Sequence, residues 1–221
     1  MLRAQFVLFD GFDPLDVVAP YEVLSASGEL AVELVSAEAP GVVRSGVPGL
    51  ALTATAAFDP DMPGYVLVPG AAGPMDGDPD AGVETIPVLL SRFASGEAMP
   101  LMRRAFDNPD STIVTICGGS LALAMAGLLE GRTATTHLLG VDQLGTTGAN
   151  AVRARVVDDG DLISGGGVTS GLDVALYVLE RDFGSRTAHA VEQLFAYERR
   201  GTTWKEDGVL QDSASGFGET A

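Results

Sequence analysis

The sequence contains few of the residues on which several common protein chemistries depend. Its 221 residues include one cysteine, Cys117, and two histidines, His137 and His189. A single cysteine excludes an intramolecular disulfide framework, and so small a set of histidine and cysteine side chains excludes a zinc-type cluster built from them. Lys205 is the sole lysine and lies in a polar stretch, which argues against a Schiff-base enzyme. We expect no metal and no cofactor.

Long apolar runs and positive charge are also scarce. No apolar run reaches the roughly 18 residues that a membrane-spanning helix needs, and the first residues have the pattern of a β-strand rather than of a signal peptide. The formal net charge of −17, from 30 acidic and 13 basic residues, disfavours nucleic acid and anionic membranes as partners. We therefore expect a cytoplasmic protein with neither of these partners.

The order of strand and helix patterns predicts one α/β domain. Strand patterns cover 3–9, 30–37, 65–68, 112–116, 152–157 and 162–164, with a short hairpin within 42–58. Helix patterns cover 15–27, 83–106 (with possible breaks near Gly96 and Pro100), 120–129, 170–183 and 185–200. This alternation predicts a three-layer sandwich, in which helices cover both faces of a mostly parallel sheet. We assign the domain to residues 1–203 and expect 204–221 to form a polar, flexible tail.

The position of Cys117 makes it the first candidate for chemistry. It follows the β-branched strand pattern 112–116 and precedes Gly118, Gly119 and a helix pattern. Sites in parallel sheets form at the carboxyl ends of strands. The free N–H groups and the dipole of the following helix favour a thiolate, so the sequence predicts a reactive cysteine with a lowered pKa. The alternative is a small buried apolar residue.

Asp16 is the second candidate, because it is an acid in the apolar stretch that follows the first strand. It has the composition of a helix cap, but Asp10 and Asp13 are better placed for that role. A desolvated carboxyl group near Cys117 would have a raised pKa and could transfer a proton. His137 ends a short strand pattern and is either structural or catalytic.

Two weaker patterns point to other enzyme classes. The run from Gly118 to Ala122 nearly matches the G-x-S-x-G turn of serine hydrolases, with Ser120 as nucleophile and Asp173 and His189 as partners. Against this, Ser120 lies inside the helix pattern and Asp173 has the spacing of a helix-start capping acid. A glycine pattern at 165–171 has the wrong spacing for a dinucleotide fingerprint.

Five segments in order resemble the ThiJ/PfpI superfamily, which has a class I glutamine-amidotransferase-like, flavodoxin-like fold. In chain order they are Leu-Asp-Val-Val-Ala-Pro, Val-Pro-Gly, Cys-Gly-Gly-Ser, Ala-Thr-Thr-His and Ser-Gly-Gly-Gly-Val-Thr-Ser-Gly-Leu-Asp. The resemblance spans about residues 3–197. The segments are most similar to those of the isocyanide (isonitrile) hydratase branch, which carries an aspartate at the position of Asp16. Related sensor domains of AraC-type regulators precede a DNA-binding module, which this acidic chain is expected to lack.

The resemblance implies a cofactor-free hydratase that acts on a small, neutral organic substrate and converts an isocyanide to an N-substituted formamide through a covalent thioimidate. Cys117 would be the nucleophile and Asp16 the proton donor and acceptor. The residues expected to bind substrate or a developing negative charge are Gly70, Ala71, Gly118, His137 and Thr169. Relatives commonly form homodimers, so we expect one here.

The sequence departs from the family pattern in ways that bear on the substrate. Gly118 replaces the threonine of hydratases and the histidine of intracellular proteases, Ala71 replaces a glycine, and the segment from Gly70 to Cys117 is longer than usual. A cofactor-free glyoxalase, which His137 leaves open, is the alternative enzyme. A non-enzymatic sensor, in which Cys117 is oxidised to a sulfinate, is the alternative of another class.

Overall fold

The structure, a computed structural model, describes residues 2–78 and 82–207. Its main sheet contains β1 (Leu2–Leu8), β2 (Leu30–Ser36), β5 (Ala56–Ala57), β6 (Gly64–Val68), β7 (Ser111–Ile116), β10 (Val156–Asp158) and β11 (Leu162–Gly165). Across the sheet these strands follow the order β10-β11-β7-β6-β1-β2-β5. All neighbours pair in parallel except β10 and β11, which form an antiparallel edge.

Two small sheets lie beside the main one. Strands β3 (Gly41–Arg44) and β4 (Ala51–Ala54) form the predicted hairpin, and β8 (Thr133–Ala134) pairs in parallel with β9 (Asn150–Ala151). The helices are α1 (Pro14–Ser27), α2 (Ile86–Ala94), α3 (Ala98–Asp107), α4 (Gly119–Met125), α5 (Val141–Thr146), α6 (Ser170–Phe183) and α7 (Ser185–Phe195). None of the helices in the described part of the chain is long and apolar enough to cross a membrane.

Alternate side chains of the central strands point into two apolar cores, one on each face of the sheet. On β6, Tyr65 and Leu67 join the core beneath α1, α6 and α7, whereas Val66 and Val68 join the core beneath α2, α3 and α4. Both faces of the parallel strands are therefore buried, which explains their nearly continuous apolar sequences. The predicted three-layer α/β sandwich is confirmed.

Three helix predictions need correction. The pattern at 83–106 forms two helices, α2 and α3, which are separated at the predicted break near Gly96, whereas the other predicted break, Pro100, lies inside α3. Helix α4 ends at Met125 instead of 129, and Gly127 then takes a positive φ of 74°. Helix α7 ends at Phe195 instead of 200, because Ala196 adopts the left-handed conformation at φ 48°.

The predicted tail begins too early. The Trp204 N–H donates to Val156 O at 2.8 Å, and the Trp204 carbonyl accepts from the Asp158 N–H at 2.9 Å. Lys205 Nζ lies 2.9 Å from an Asp158 oxygen. These bonds attach Trp204 and Lys205 to the edge strand β10. No local sequence pattern predicted this pairing. The remainder of the predicted tail, 208–221, lies outside the described residues.

Candidate active site

Cys117 occupies a strained turn between β7 and α4. Its φ is 54°, a conformation that few residues other than glycine adopt. Two hydrogen bonds fix its backbone: its N–H donates to Gly165 O at 2.9 Å, and its carbonyl accepts from the Thr136 hydroxyl at 2.7 Å. The turn holds the sulfur at the carboxyl end of the central strand, where the sequence predicted a site.

The predicted low pKa of Cys117 is wrong. Burial raises the pKa of the thiol, since the residue is only 6% exposed, and the negative charge of Asp16 raises it further. The Gly118 N–H lowers the pKa, but its effect is smaller. The helix-terminus argument considered only the residues next to Cys117 in the sequence. It left out burial and the charge of Asp16, although Asp16 was expected near Cys117 as a proton carrier.

Asp16 is completely buried in the first turn of α1. Its Oδ2 accepts the Gly70 N–H at 2.9 Å, whereas its Oδ1 has no hydrogen-bond partner within the described residues. Burial raises the pKa of Asp16 well above its ordinary value, and the neighbouring charge of Asp13 raises it further. This direction agrees with the sequence-based expectation. Because each of Asp16 and Cys117 shifts the pKa of the other, the two groups titrate as a coupled pair.

Gly70 has a different place from the one expected. Its amide binds the Asp16 carboxylate rather than facing a ligand, and its carbonyl accepts the Asp13 N–H at 2.8 Å. A Cβ at this position would lie 2.6 Å from the Gly118 nitrogen, so only glycine allows the ends of β6 and β7 to approach so closely. Gly70 therefore positions the acid instead of contacting substrate.

A cavity of about 240 Å³ opens directly over Cys117. Its wall is mostly apolar and includes Ala71, Ala72, Gly73, Met75, Ile86, Pro87, Leu90, Leu121, Met125, Leu139 and Val168. Its polar groups come from Asp13, Cys117, Gly118, Thr136, His137 and Gln143. Asp16 is completely buried and does not line the cavity.

The other predicted binding residues separate into two groups. Ala71, Gly118 and His137 all line the cavity. The His137 Nδ1 accepts the Leu139 N–H at 3.3 Å, which leaves the other ring nitrogen as the proton-bearing one in a neutral imidazole. Thr169 is exposed and outside the cavity wall, and its hydroxyl accepts a hydrogen bond from Arg155 at 2.9 Å. Its neighbour Val168 takes the place on the wall.

The long segment between Gly70 and Cys117 supplies one side of the cavity. Helix α2 contributes Ile86, Pro87 and Leu90 to the wall. A Cβ added to Gly118 would lie 3.1 Å from a methyl group of Leu90, so Leu90 occupies the space that a side chain at 118 would take. The unusual glycine and the unusual segment are thus two parts of one change in the shape of the cavity.

The serine-hydrolase pattern does not form a site. Ser120 is completely buried, and its hydroxyl shares a 2.5 Å hydrogen bond with Thr115. His189 is on the exposed face of α7 beside Glu192, and Asp173 pairs with Arg155. The capping pair that the spacing of Ser170 and Asp173 predicts is also wrong, because the Ser170 hydroxyl donates to Gly167 O. Across residues 2–78 and 82–207, no three acidic, histidine or cysteine side chains converge on a metal-sized site.

Comparisons with known proteins identify the family. The sequence profile of the DJ-1/PfpI family matches residues 91–181. The chain is 36% identical to the isonitrile hydratase of Pseudomonas putida over 200 residues, which cover 89% of this chain and 78% of that protein. It belongs to the DJ-1/PfpI family.

Solved structures of the DJ-1/PfpI family share the fold. A ThiJ/PfpI family protein from Pseudomonas syringae has a TM-score of 0.73 and 28% sequence identity, with 90% of this chain and 76% of that chain covered. DJ-1beta of Drosophila melanogaster has a TM-score of 0.72 at 18% identity, with 89% and 98% covered. At that identity the second likeness concerns the fold alone.

Sequence reasoning missed two residues that the fold brings to the site. Thr136 holds the Cys117 carbonyl, and the only local signal was its place directly before His137. Asp13 was interpreted as a helix cap, a role that it does have, since its Oδ1 accepts the Leu15 N–H at 2.9 Å. Asp13 also lines the cavity, which its spacing of one helical turn from Asp16 could have indicated.

Proposed function

We propose that this protein hydrates an isocyanide to an N-substituted formamide, with Cys117 as nucleophile and Asp16 as proton carrier. The observation that carries the proposal is the coupled pair. The only cysteine of the chain lies beside a fully buried carboxyl group that has an unpartnered oxygen and a raised pKa. The 36% identity to a protein named isonitrile hydratase supports the same reaction class.

In the first step, the Cys117 thiol gives its proton to Asp16, and the sulfur attacks the terminal carbon of the isocyanide. A carbon–sulfur bond forms, and the electron pair that develops on this carbon takes the proton from Asp16. The product is a thioimidate, in which the former isocyanide carbon carries hydrogen, nitrogen and the Cys117 sulfur. Because both groups have raised pKa values, the proton is neither lost to solvent nor held too weakly to be delivered.

In the second step, water adds to the thioimidate carbon and loses one proton to the Asp16 carboxylate, which passes it to the nitrogen. The tetrahedral intermediate then collapses: its hydroxyl group gives its proton to Asp16 as the carbonyl forms, the carbon–sulfur bond breaks, and the sulfur takes that proton from Asp16. The sum is isocyanide plus water giving formamide. Ala71 and Gly118 line the cavity, and in this mechanism their backbone amides would hold the water or a developing negative charge.

A glyoxalase is the second candidate, because His137 lines the same cavity as Cys117 and could donate a hydrogen bond to a substrate carbonyl. The redox-sensor alternative has less support. Oxidation of cysteine proceeds through an exposed thiolate, whereas Cys117 is 6% exposed and its pKa is raised.

The expected homodimer also belongs to the proposal. Leu138 and Leu139 are 63% and 68% exposed, although they are large apolar side chains next to the cavity. Burial of such side chains between two copies would remove them from water. Sedimentation equilibrium at several protein concentrations tests the expectation, and a monomer at all of them would contradict it.

The first experiment measures formamide production from an aryl isocyanide by the wild type, Cys117→Ala and Asp16→Asn. Methylglyoxal consumption is measured in parallel. We expect isocyanide turnover that both substitutions abolish and that His137→Asn reduces less. His189→Asn is the matched control for the histidine change, because His189 lies on an exposed helix face.

The outcomes separate the candidates. Isocyanide turnover that depends on Cys117 and Asp16 supports the hydratase. Consumption of methylglyoxal without isocyanide turnover, dependent on Cys117 and His137, replaces it with the glyoxalase. Inactivity toward both substrates, with Cys117 converted to a sulfinate by dilute peroxide, contradicts both enzymatic proposals and favours the sensor. Intact mass distinguishes the oxidised states because the chain has one cysteine.

A further inference from the structure

The wall of the cavity carries one charge. Of the lining side chains in the described part of the chain, only Asp13 carries a carboxyl group. No arginine or lysine of the described residues joins the wall. The remaining polar groups are hydroxyl, amide, imidazole and thiol groups. A ligand bound over Cys117 therefore meets a single carboxylate in an otherwise neutral, apolar site.

The position of Asp13 is rigidly defined. Its Oδ1 accepts the Leu15 N–H at 2.9 Å, and its own N–H donates to Gly70 O at 2.8 Å. Gly70 in turn binds Asp16 at 2.9 Å, so Asp13, Gly70 and Asp16 form one hydrogen-bonded chain next to the nucleophile. The Asp13 carboxylate cannot swing away from the cavity without loss of the helix cap.

We propose that Asp13 makes the cavity select substrates by charge: it rejects those with an anionic group near the reacting carbon and favours those with an ammonium group. Neutral substrates fall between the two. The cavity is small, at about 240 Å³, and mostly apolar, so it weakens the interaction with Asp13 less than bulk water would. That the substrates are isocyanides rests on the proposed function, whereas the charge selectivity of the cavity does not.

The test uses Cys117 as its own reporter. Two methanethiosulfonate reagents, one with a trimethylammonium-ethyl group and one with a sulfonatoethyl group, transfer their thiol fragment to a cysteine and release methanesulfinate. Rates are followed at pH 8.5 by intact mass, which is unambiguous because the chain has one cysteine. Each rate is divided by the rate with 2-mercaptoethanol, which removes the intrinsic difference between the reagents.

The variants are chosen to change the charge and to keep the cap. Asparagine and serine cap helices about as well as aspartate, so Asp13→Asn and Asp13→Ser both keep the start of α1. Glu22→Gln is the matched control, because it removes one negative charge from an exposed position of the same helix. The ratio of the ammonium rate to the sulfonate rate is the readout, since any change in the thiolate fraction of Cys117 cancels in it.

We expect the wild-type ratio to exceed one. Both Asp13 variants should lower it roughly tenfold, as for the loss of one unit charge several ångströms from the sulfur at a water-like dielectric constant. Glu22→Gln should leave it within about twofold of the wild type, because exposed distant charges are screened. An unchanged ratio in both Asp13 variants overturns the inference, and so does an equal change in Glu22→Gln.

A second measurement connects the selectivity to turnover. Aryl isocyanides with a para aminomethyl, methyl or carboxylate group are compared by kcat/KM. We expect that order in the wild type, with the carboxylate lowest, and a smaller spread in Asp13→Asn. If no isocyanide is turned over, the proposed hydratase fails while the reagent ratio still decides the role of Asp13. If all are turned over equally by the wild type, the charge selectivity fails while the hydratase stands.

Discussion

Asp16 and Asp173 have similar positions in their helices and similar burial, but they differ in their hydrogen-bond and ion-pair partners. Each is an acid in the first turn of a long helix, α1 or α6, and they are 0% and 2% exposed. Asp173 receives an ion pair from Arg155 at 2.7 Å, the Tyr197 hydroxyl at 3.1 Å and the Arg200 N–H at 2.7 Å. Asp16 receives one backbone N–H and leaves an oxygen without a partner.

The difference shows how a buried carboxylate becomes structural or reactive. The charge of Asp173 is neutralised and all its acceptor positions are used, so it connects α6 to the segment after α7. Burial disfavours the ionised form of Asp16, and the negative charge of Asp13 disfavours it further, so the pKa of Asp16 is raised. Asp16 is therefore the better candidate for a proton carrier.

The largest expected difference between substitutions of Asp16 and Asp173 is in isocyanide turnover. Asp16→Asn keeps the size of the side chain and removes its ability to carry a proton, so we expect isocyanide turnover to fall by about 10²- to 10⁴-fold. Asp173→Asn should keep turnover per folded molecule within about threefold of the wild type, an estimate that rests on its distance from the reacting groups. Steady-state kinetics on samples of equal folded fraction measure both. Comparable losses in the two variants would remove the distinction.

The losses of stability caused by Asp16→Asn and Asp173→Asn should have the reverse order. Asp173→Asn removes the counter-charge of Arg155, whose side chain is 21% exposed, and the loss of hydrogen bonds to a charged group costs about 1.5–3 kcal/mol. Asp16→Asn removes an unfavourable buried charge and should change the free energy of unfolding by less than about 1 kcal/mol or increase it. Urea denaturation at pH 7.5 measures both values. A larger destabilisation by Asp16→Asn than by Asp173→Asn would contradict this account.

The pH dependence of stability gives a third comparison. Because the pKa of Asp16 is raised in the folded state, the folded protein holds this proton over a range in which the unfolded chain has lost it. The contribution of Asp16 is thus fully present below the ordinary aspartate pKa and is lost as the pH rises toward the raised value. The free energy of unfolding of Asp16→Asn minus that of the wild type should therefore increase from pH 5 to pH 8, by up to about 1.4 kcal/mol per pH unit within the titration range.

The measurement stays within pH 5 to 8 for two reasons. Near the isoelectric point of about 4.2 the protein carries too little net charge to stay dispersed. Above pH 8 an unfolded cysteine begins to ionise, whereas the pKa of Cys117 in the folded protein is raised, so a second group would contribute. A difference between variant and wild type that is constant over the range would show that Asp16 does not titrate there.

The smallest expected effect concerns Tyr197, which is one of several groups that bind the Asp173 carboxylate. Tyr197→Phe removes a hydroxyl that donates to the carboxylate at 3.1 Å, but Arg155 and the Arg200 N–H stay in place. We expect a loss of about 1 kcal/mol, the net value of one hydrogen bond, and unchanged kcat. Thermal denaturation measures it, with Tyr21→Phe as a matched control elsewhere on the same face of the sheet. A loss as large as that of Asp173→Asn would mean that Tyr197 is essential to the pairing.

The sequence by itself determined the layers of this protein and the location of its chemistry. Alternating strand and helix patterns are local properties of the chain, so they predicted the parallel sheet and its two covered faces. Cys117 was identifiable because the carboxyl end of a central strand is a position that sequence order alone defines. Asp16 was identifiable because an acid in an apolar stretch is unusual wherever the chain folds.

Only the tertiary structure decided the electrostatics. The pKa of Cys117 is raised by burial and, to a smaller extent, by Asp16 from another strand–helix unit, and Thr169 binds Arg155 outside the cavity wall. Asp13 joins the cavity wall although its sequence fits a helix cap equally well. Such effects depend on distances between residues far apart in the chain and on how much water the packed layers exclude. A linear pattern specifies neither quantity, because both are set only when the helices and strands meet.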